Sequence, residues 1–168
     1  MLFAAMDLYE ITGSKEYLRA IELAAYYLAS WQWHYALPMH PDSPLVKMNY
    51  EWFAGTGITV NAQDQDPWGS LWAFAWLRLA KLTGQDIWRD RAIQCWNQGT
   101  RGISDGTLIV NGARRPTGSQ SEAYLCRPIG TTDGKRFYAN CAEWLVAWPL
   151  VHRLVTLMNW PNWNDFEV

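Results

Sequence analysis

Carboxylates set among amides and aromatic rings are the residues of this chain best equipped for chemistry. In AQDQDPWG, Asp64 and Asp66 alternate with Gln63 and Gln65, a cluster of donors and acceptors suited to hydroxyl groups. In GSQSEAYL, Glu122 follows Ser119 and precedes Tyr124, and in MNYEWFAGTG, Glu51 lies between Tyr50 and Trp52. Two carboxylates can divide acid/base work between them: one protonates a leaving oxygen while the other activates water or attacks. Asp64 and Glu122 belong to different long segments, so they are the pair able to face each other across a cleft. A carboxyl against aromatic rings, as Glu51 stands, suits a general acid when the rings desolvate it.

Each candidate also has a purely structural explanation. Pro67 fits the first position of a helix, where its missing N–H costs nothing, which makes Asp66 the N-cap. Ser119 and Glu122 have the spacing of a capping box. Glu51 is equally well read as a solvated glutamate on a strand edge. Trp52, Trp68 and Tyr124 stand closest to the polar clusters and serve either as flat platforms or as core. Trp72, Trp76, Trp88 and Trp96 fall in helical stretches and are expected in the core. His34 and His40 lie in a long segment where they could touch a ligand, whereas His152 reads as structural.

Composition narrows the classes of partner. Among 168 residues, 14 basic and 16 acidic side chains leave a net charge of −2, which gives no electrostatic case for nucleic acid or an anionic membrane surface. Three cysteines, Cys95, Cys126 and Cys141, are too few and too widely spaced for a disulfide framework, and no CxxC or HxxxH suggests zinc. No cofactor is implied. No apolar run reaches the length of a membrane span. The start, MLFAAMDLYE, lacks the basic region of a signal peptide. The cytoplasm is then the default expectation, although a chain opening inside a helix leaves room for an upstream export signal. Twelve tryptophans and eight tyrosines exceed what a small core needs, and they suggest a surface that stacks flat, weakly polar ligands such as sugar rings.

The elements that must position these residues come in repeats. LYEITGSKEYLRAIELA aligns with LAKLTGQDIWRDRAIQC at an offset of 71: Leu8, Thr12, Gly13, Tyr17, Ile21 and Ala24 against Leu79, Thr83, Gly84, Trp88, Ala92 and Cys95. Each copy reads as a helical hairpin: helices over 2–12 and 15–30, then over 68–83 and 86–97, with Gly13 and Gly84 where a helix C′ glycine belongs. LWAFAWLRLAKL is apolar nearly all round and should be buried on most sides, while DIWRDRAIQCW carries Asp86, Arg89, Asp90 and Arg91 on a wet face. A third helical unit is expected over 139–158, kinked or split at Pro149. The long connections hold small β elements: a short strand in FAGTGITV, and a hairpin in DGTLIVNGARR turning at Asn111–Gly112.

The pattern L-x3-T-G-x3-[YW]-x3-[IA] on paired helices, with QDQDPWG before an inner helix, resembles the six-hairpin glycosidase superfamily. GISDGTLIVNGARRPTGSQSEAYL and EWLVAWP resemble the C-terminal part of uncharacterised bacterial members. The resemblance implies an all-α fold of the (α/α)6 toroid type, with the cleft at the N-terminal mouth of the inner helices and residues 61–68 lining it. At about 71 residues per hairpin, 168 residues hold roughly two and a half, so a single domain over 1–168 would be a partial toroid. Its exposed inner surface would favour a homo-oligomer, or missing N-terminal hairpins that complete the ring. The expected function is carbohydrate-active: glycoside hydrolysis on an oligo- or polysaccharide. Asp64 and Glu122 would do the acid/base work, Asp66 would shape the cleft, and Trp52, Gln63, Trp68, Tyr124, Arg127 and His40 would bind substrate. Arg127 or Arg114 suits the carboxylate of a uronic acid. The alternative is a non-catalytic carbohydrate-binding or structural half-toroid.

Overall fold

The computed structural model describes residues 2–35, 41, 46, 53–57, 64–66, 69–101, 103–107, 109–110, 113–121, 124–125, 128–130, 136–138, 145–146, 148–160 and 162. Five helices dominate them: α1 (Leu2–Thr12), α2 (Lys15–Ala29), α3 (Gly69–Thr83), α4 (Asp86–Thr100) and α5 (Trp148–Asn159). Among the described residues, nine strands of two or three residues occupy the connections. The fold is thus mostly helical.

The repeat survives at the level of single hydrogen bonds. Gly13 N donates to Tyr9 O at 2.7 Å and Gly84 N to Ala80 O at 2.8 Å. Thr12 Oγ1 donates to Leu8 O at 2.6 Å, and Thr83 Oγ1 donates to Leu79 O at 2.8 Å. The same hydroxyls accept from Ser14 N at 3.2 Å and Gln85 N at 3.3 Å. Each hairpin corner is therefore one device: a threonine closes the last turn and holds the next amide, and a glycine at φ +66° or +70° reverses the chain.

Packing follows the apolar pattern. Ala73, Ala75, Trp76, Leu77 and Leu79 make α3 buried almost all round, and α3 contacts α1, α2, α4 and α5. Met6 from α1, Ile21, Ala25 and Ala29 from α2, and Trp88, Ala92, Cys95 and Trp96 from α4 complete the core, with Trp72 packed at its margin. Asp86, Arg89 and Asp90 stay exposed on the outer side of α4. Phe3 stacks on Phe74 with ring centroids 5.7 Å apart, and Asp7 meets Arg78 at 2.6 Å. Residues of equal index thus meet, so α1 and α3 run parallel. Arg153 in mid-α5 reaches Thr100 at the end of α4, while Asn159 and Trp160 lie beside Lys81 near the end of α3, so α5 runs parallel too. The result is an inner row, α1–α3–α5, with α2 and α4 outside it.

Three expectations need correction. The helix α3 begins at Gly69, and Asp66 lies upstream in strand β2 (Asp64–Asp66), so Asp66 is not its N-cap. No helix follows Ser119: Gln120–Ser121 is strand β5 and Tyr124–Leu125 is strand β6, and Ser119 Oγ donates back to Pro116 O at 2.6 Å, so the capping-box spacing is coincidental. The third helical unit is shorter than its apolar run. Leu145–Val146 form strand β9, and α5 starts at Trp148, which puts Pro149 in the first turn, where it neither kinks nor splits a helix.

Because an added Cβ at Gly13 or Gly84 meets nothing within 4 Å, only the left-handed backbone resists substitution there. Gly13→Ala and Gly84→Ala should each cost about 1–2 kcal/mol in urea unfolding. Equal costs would match the equal corners; a neutral effect at either would contradict the corner described.

Candidate functional site

The polar segments singled out in the sequence converge just before α3. Strand β1 (Thr56–Gly57) pairs antiparallel with β2, Thr56 opposite Asp66 and Gly57 opposite Gln65. Strand β2 in turn pairs with β6, Asp64 opposite Leu125 and Gln65 opposite Tyr124. The segments carrying Asp64 and Tyr124 are therefore hydrogen-bonded neighbours, although nearly sixty residues separate them in sequence. Asp64 and Asp66 both belong to the central strand of this small sheet, and β2 ends shortly before the N-terminus of α3, where helix amides favour negative charge. Glu122, Gln63, Trp52, Trp68, Arg127, His40 and Glu51 lie outside the described residues.

The sheet is anchored to the end of α2 by a strap of three residues, Trp31, Gln32 and Trp33. Gly57 N donates to Trp31 O, Trp33 N to Gly55 O, and Ala54 N to Trp33 O, each at 2.9 Å. Ala54 adopts φ +64°, a left-handed conformation that non-glycine residues rarely take. Gln32 is buried, and its amide works in both directions. Nε2 donates to Ala54 O and Arg91 O, both at 3.2 Å, and Oε1 accepts from Arg91 Nη1 at 2.9 Å. Burial pulls the Arg91 guanidinium below its ordinary pKa, yet an arginine stays charged at any physiological pH. His34 Nε2 stands 3.5 Å from the same Nη1. One amide side chain thus ties α2, α4 and the sheet together.

A buried cation ties α5 to the connection after α4. Arg153 on α5 is only 3% exposed; its Nε donates to Thr100 Oγ1 at 3.1 Å, and Nη1 makes a long 3.5 Å contact with Gln120 Oε1. Gln120 Nε2 donates to Gly99 O at 3.2 Å, while its backbone pairs with Val146 of β9. Nearby, Ser104 N donates to Ser119 O at 2.8 Å and Ser104 Oγ to Arg115 O at 3.0 Å. These bonds fasten the connection after α4 onto α5. Within it, β3 (Ile109–Val110) and β4 (Ala113–Arg114) pair as expected about Asn111–Gly112. Arg114, offered as a carboxylate reader, is exposed and donates to Gly106 O at 3.0 Å.

At the opposite end of the inner row lies a cleft of about 280 Å³ lined by Glu10, Phe74, Leu77, Arg78, Lys81, Asn159 and Trp160. It adjoins a second hollow of about 340 Å³ that shares Lys81, Asn159 and Trp160. Arg78 holds Glu10 bidentately, at 3.2 and 2.7 Å, and that hydrogen bonding keeps the Glu10 carboxyl below its usual pKa. With Asp7 and Glu10 largely in solvent, the cluster contributes about 0–1 kcal/mol per pair.

Among the described residues no group of three or more His, Cys, Asp or Glu could hold a metal ion, and no helix is long and apolar enough to cross a membrane. No family model, curated protein or solved structure matches the chain. Its chemistry must be argued from its own residues.

Gln32, Arg91, Gln120 and Arg153 were not foreseen as supports of the site. The one available signal was position: Gln32 lies just after α2, and Arg153 is the one Lys, Arg, Asp or Glu in its helix.

Two outcomes follow from the anchoring. Alanine in a helix normally gains up to about 1 kcal/mol over glycine, but a Cβ on Gly99 would sit 2.5 Å from Arg153 Nη2. Because that guanidinium is buried and bonded, Gly99→Ala should instead destabilise by about 1–3 kcal/mol, read from the urea midpoint. His152 has its pKa lowered from 6.5, first by burial and then by the Arg153 charge. Its neutral form is therefore favoured on folding. The associated stability is complete above the unfolded value and is lost as pH falls through the depressed folded value. Thermal melts from pH 7 to 5 should show this loss, and His152→Gln should flatten it.

Proposed function

We propose that this is a carbohydrate-active domain that hydrolyses glycosidic bonds, with Asp64 and Glu122 as its acid/base pair in a tryptophan-walled cleft ahead of α3. The observation that supports the reading is the pairing of β2 with β6. Glycosidic cleavage by this route needs two carboxyl groups on opposite sides of one bond. Two segments remote in sequence, one containing Asp64 and the other beginning two residues after Glu122, become adjacent strands.

In this reading Asp66 shapes the cleft from the same strand as Asp64. Gln63 and Gln65 offer donors and acceptors to sugar hydroxyls, as amide side chains do. Trp52, Trp68 and Tyr124 stack on sugar rings, while Arg127 and His40 contact polar substituents. Further hairpins would complete the toroid around the inner row.

The second reading is a non-catalytic carbohydrate-binding half-toroid. It is favoured by one observation: α1, the first helix of the inner row, keeps Leu8 and Ile11 in solvent, so the row has an open edge.

A panel of aryl glycosides and oligosaccharides separates the two. Turnover by the wild-type chain should fall roughly 100-fold or more in Asp64→Asn and in Glu122→Gln, with folding unchanged by circular dichroism. Turnover indifferent to both substitutions would remove the assignment. Binding without turnover, equally indifferent to them, would establish the second reading.

A further inference from the structure

The repeat makes it possible to ask what each position of the first hairpin is built to touch. Leu8 and Ile11 of α1 are 43% and 80% exposed. Their counterparts one repeat later are Leu79, fully buried, and Leu82, packed on the core. Ala4 is exposed and its counterpart Ala75 is buried. On α2, Tyr17 is exposed where Trp88 is buried. These positions are apolar in both copies. In the second copy the hairpin α1–α2 stands alongside on the N-terminal side, and among the described residues no helix takes that place in the first. At about 100° per residue, Ala4, Leu8 and Ile11 cluster on one side of α1, distinct from Phe3, Asp7 and Glu10, which meet Phe74 and Arg78 of α3. The exposed side of α1 is thus a packing face without its neighbour.

The far end of the row has a matching feature. Helix α5 turns Leu150, Val151, Leu154, Val155 and Met158 to solvent, the last 81% exposed. They form a continuous apolar stripe at helical spacing, free of charge. The stripe is separate from the side on which Arg153, Thr156 and Leu157 face the rest of the molecule. Contiguous apolar surface of this kind marks an interaction site.

We propose that these two faces bind each other between two copies of this chain, the α5 stripe of one seating on the α1 face of the next. Consecutive members of the inner row already pack in parallel within one chain, α1 with α3 and α3 with α5. An α5-to-α1 contact continues that row across the chain boundary with the same kind of surface. Neither face carries a charge to oppose the contact. The interface is heterologous, so it closes into a ring or runs on, according to the rotation between copies. It does not depend on the carbohydrate reading.

Sedimentation equilibrium across micromolar concentrations tests it. The wild-type chain should self-associate. Leu8→Glu with Ile11→Glu, or Val151→Glu with Leu154→Glu, should each weaken association roughly tenfold or more. Both doubles change exposed side chains, and circular dichroism and thermal melts verify that they fold. The decisive arm mixes the two variants. Each retains one intact face, so together they should form a one-to-one complex that neither forms alone. A wild-type chain that stays monomeric throughout overturns the proposal. Association indifferent to both doubles, or a mixture that fails to pair, overturns it equally.

Discussion

The burial of α3 is the constraint from which the rest of the structure follows. LWAFAWLRLAKL carries apolar side chains around nearly its whole circumference, and each large one removed from water contributes about 1.5–3 kcal/mol. Trp76, Leu77 and Leu79 are fully or almost fully buried. One partner helix cannot achieve that. Helix α4 covers one side, the α1–α2 hairpin another, and α5 a third. The strip containing Phe74, Arg78 and Lys81 remains partly open and lines the cleft, and Trp72, Ala80 and Leu82 are half-buried. The chain is arranged around its greasiest helix, and the small sheet lies at that helix's leading end.

That constraint explains what could be read from the sequence. The hairpins were legible because their corners use local chemistry: threonine, glycine and the next amide interact within three residues, so no distant partner is needed to specify them. The NG hairpin was legible for the same reason. Where sequence reading failed, a distant partner decided. Residues 139–147 look helical by their apolar content, yet Leu145 and Val146 pair with Ser121 and Gln120, which no local window contains. Asp66 and Pro67 have the composition of a helix start, yet β2 is drawn out between β1 and β6. Ser119 and Glu122 show how little a four-residue spacing means without a following helix.

The candidate site was legible only as a convergence. Asp64 and Glu122 belong to different long segments, which left them able to face each other; β2 and β6 pair, while Glu122 itself lies outside the described residues. Its supports were not legible. Gln32, Gln120, Arg91 and Arg153 are polar residues whose partners lie on other elements, 21 to 59 positions away. Burying such groups is costly unless their hydrogen bonds are made, so each one fixes geometry as well as filling space. Arg91 holds the strap that follows α2, and Arg153 holds the connection after α4 onto α5. A loop region anchored by such bonds can present side chains with little freedom, which a site made of short strands requires.

Duplication also explains the charge pattern of the inner row. Phe3 and Phe74 hold equivalent positions and stack on each other. Asp7 and Arg78 are likewise equivalent, and they form an ion pair. Glu10 pairs with Arg78, while its own counterpart is Lys81. When parallel helices bring like positions together, an unchanged charge in both copies would repel, whereas an unchanged aromatic ring would not. The copies remain alike where the contact is apolar and have opposite signs where it is charged. Likeness at the corners and opposition at the seam have a single cause: corner positions interact within their own hairpin, and seam positions interact with the other copy.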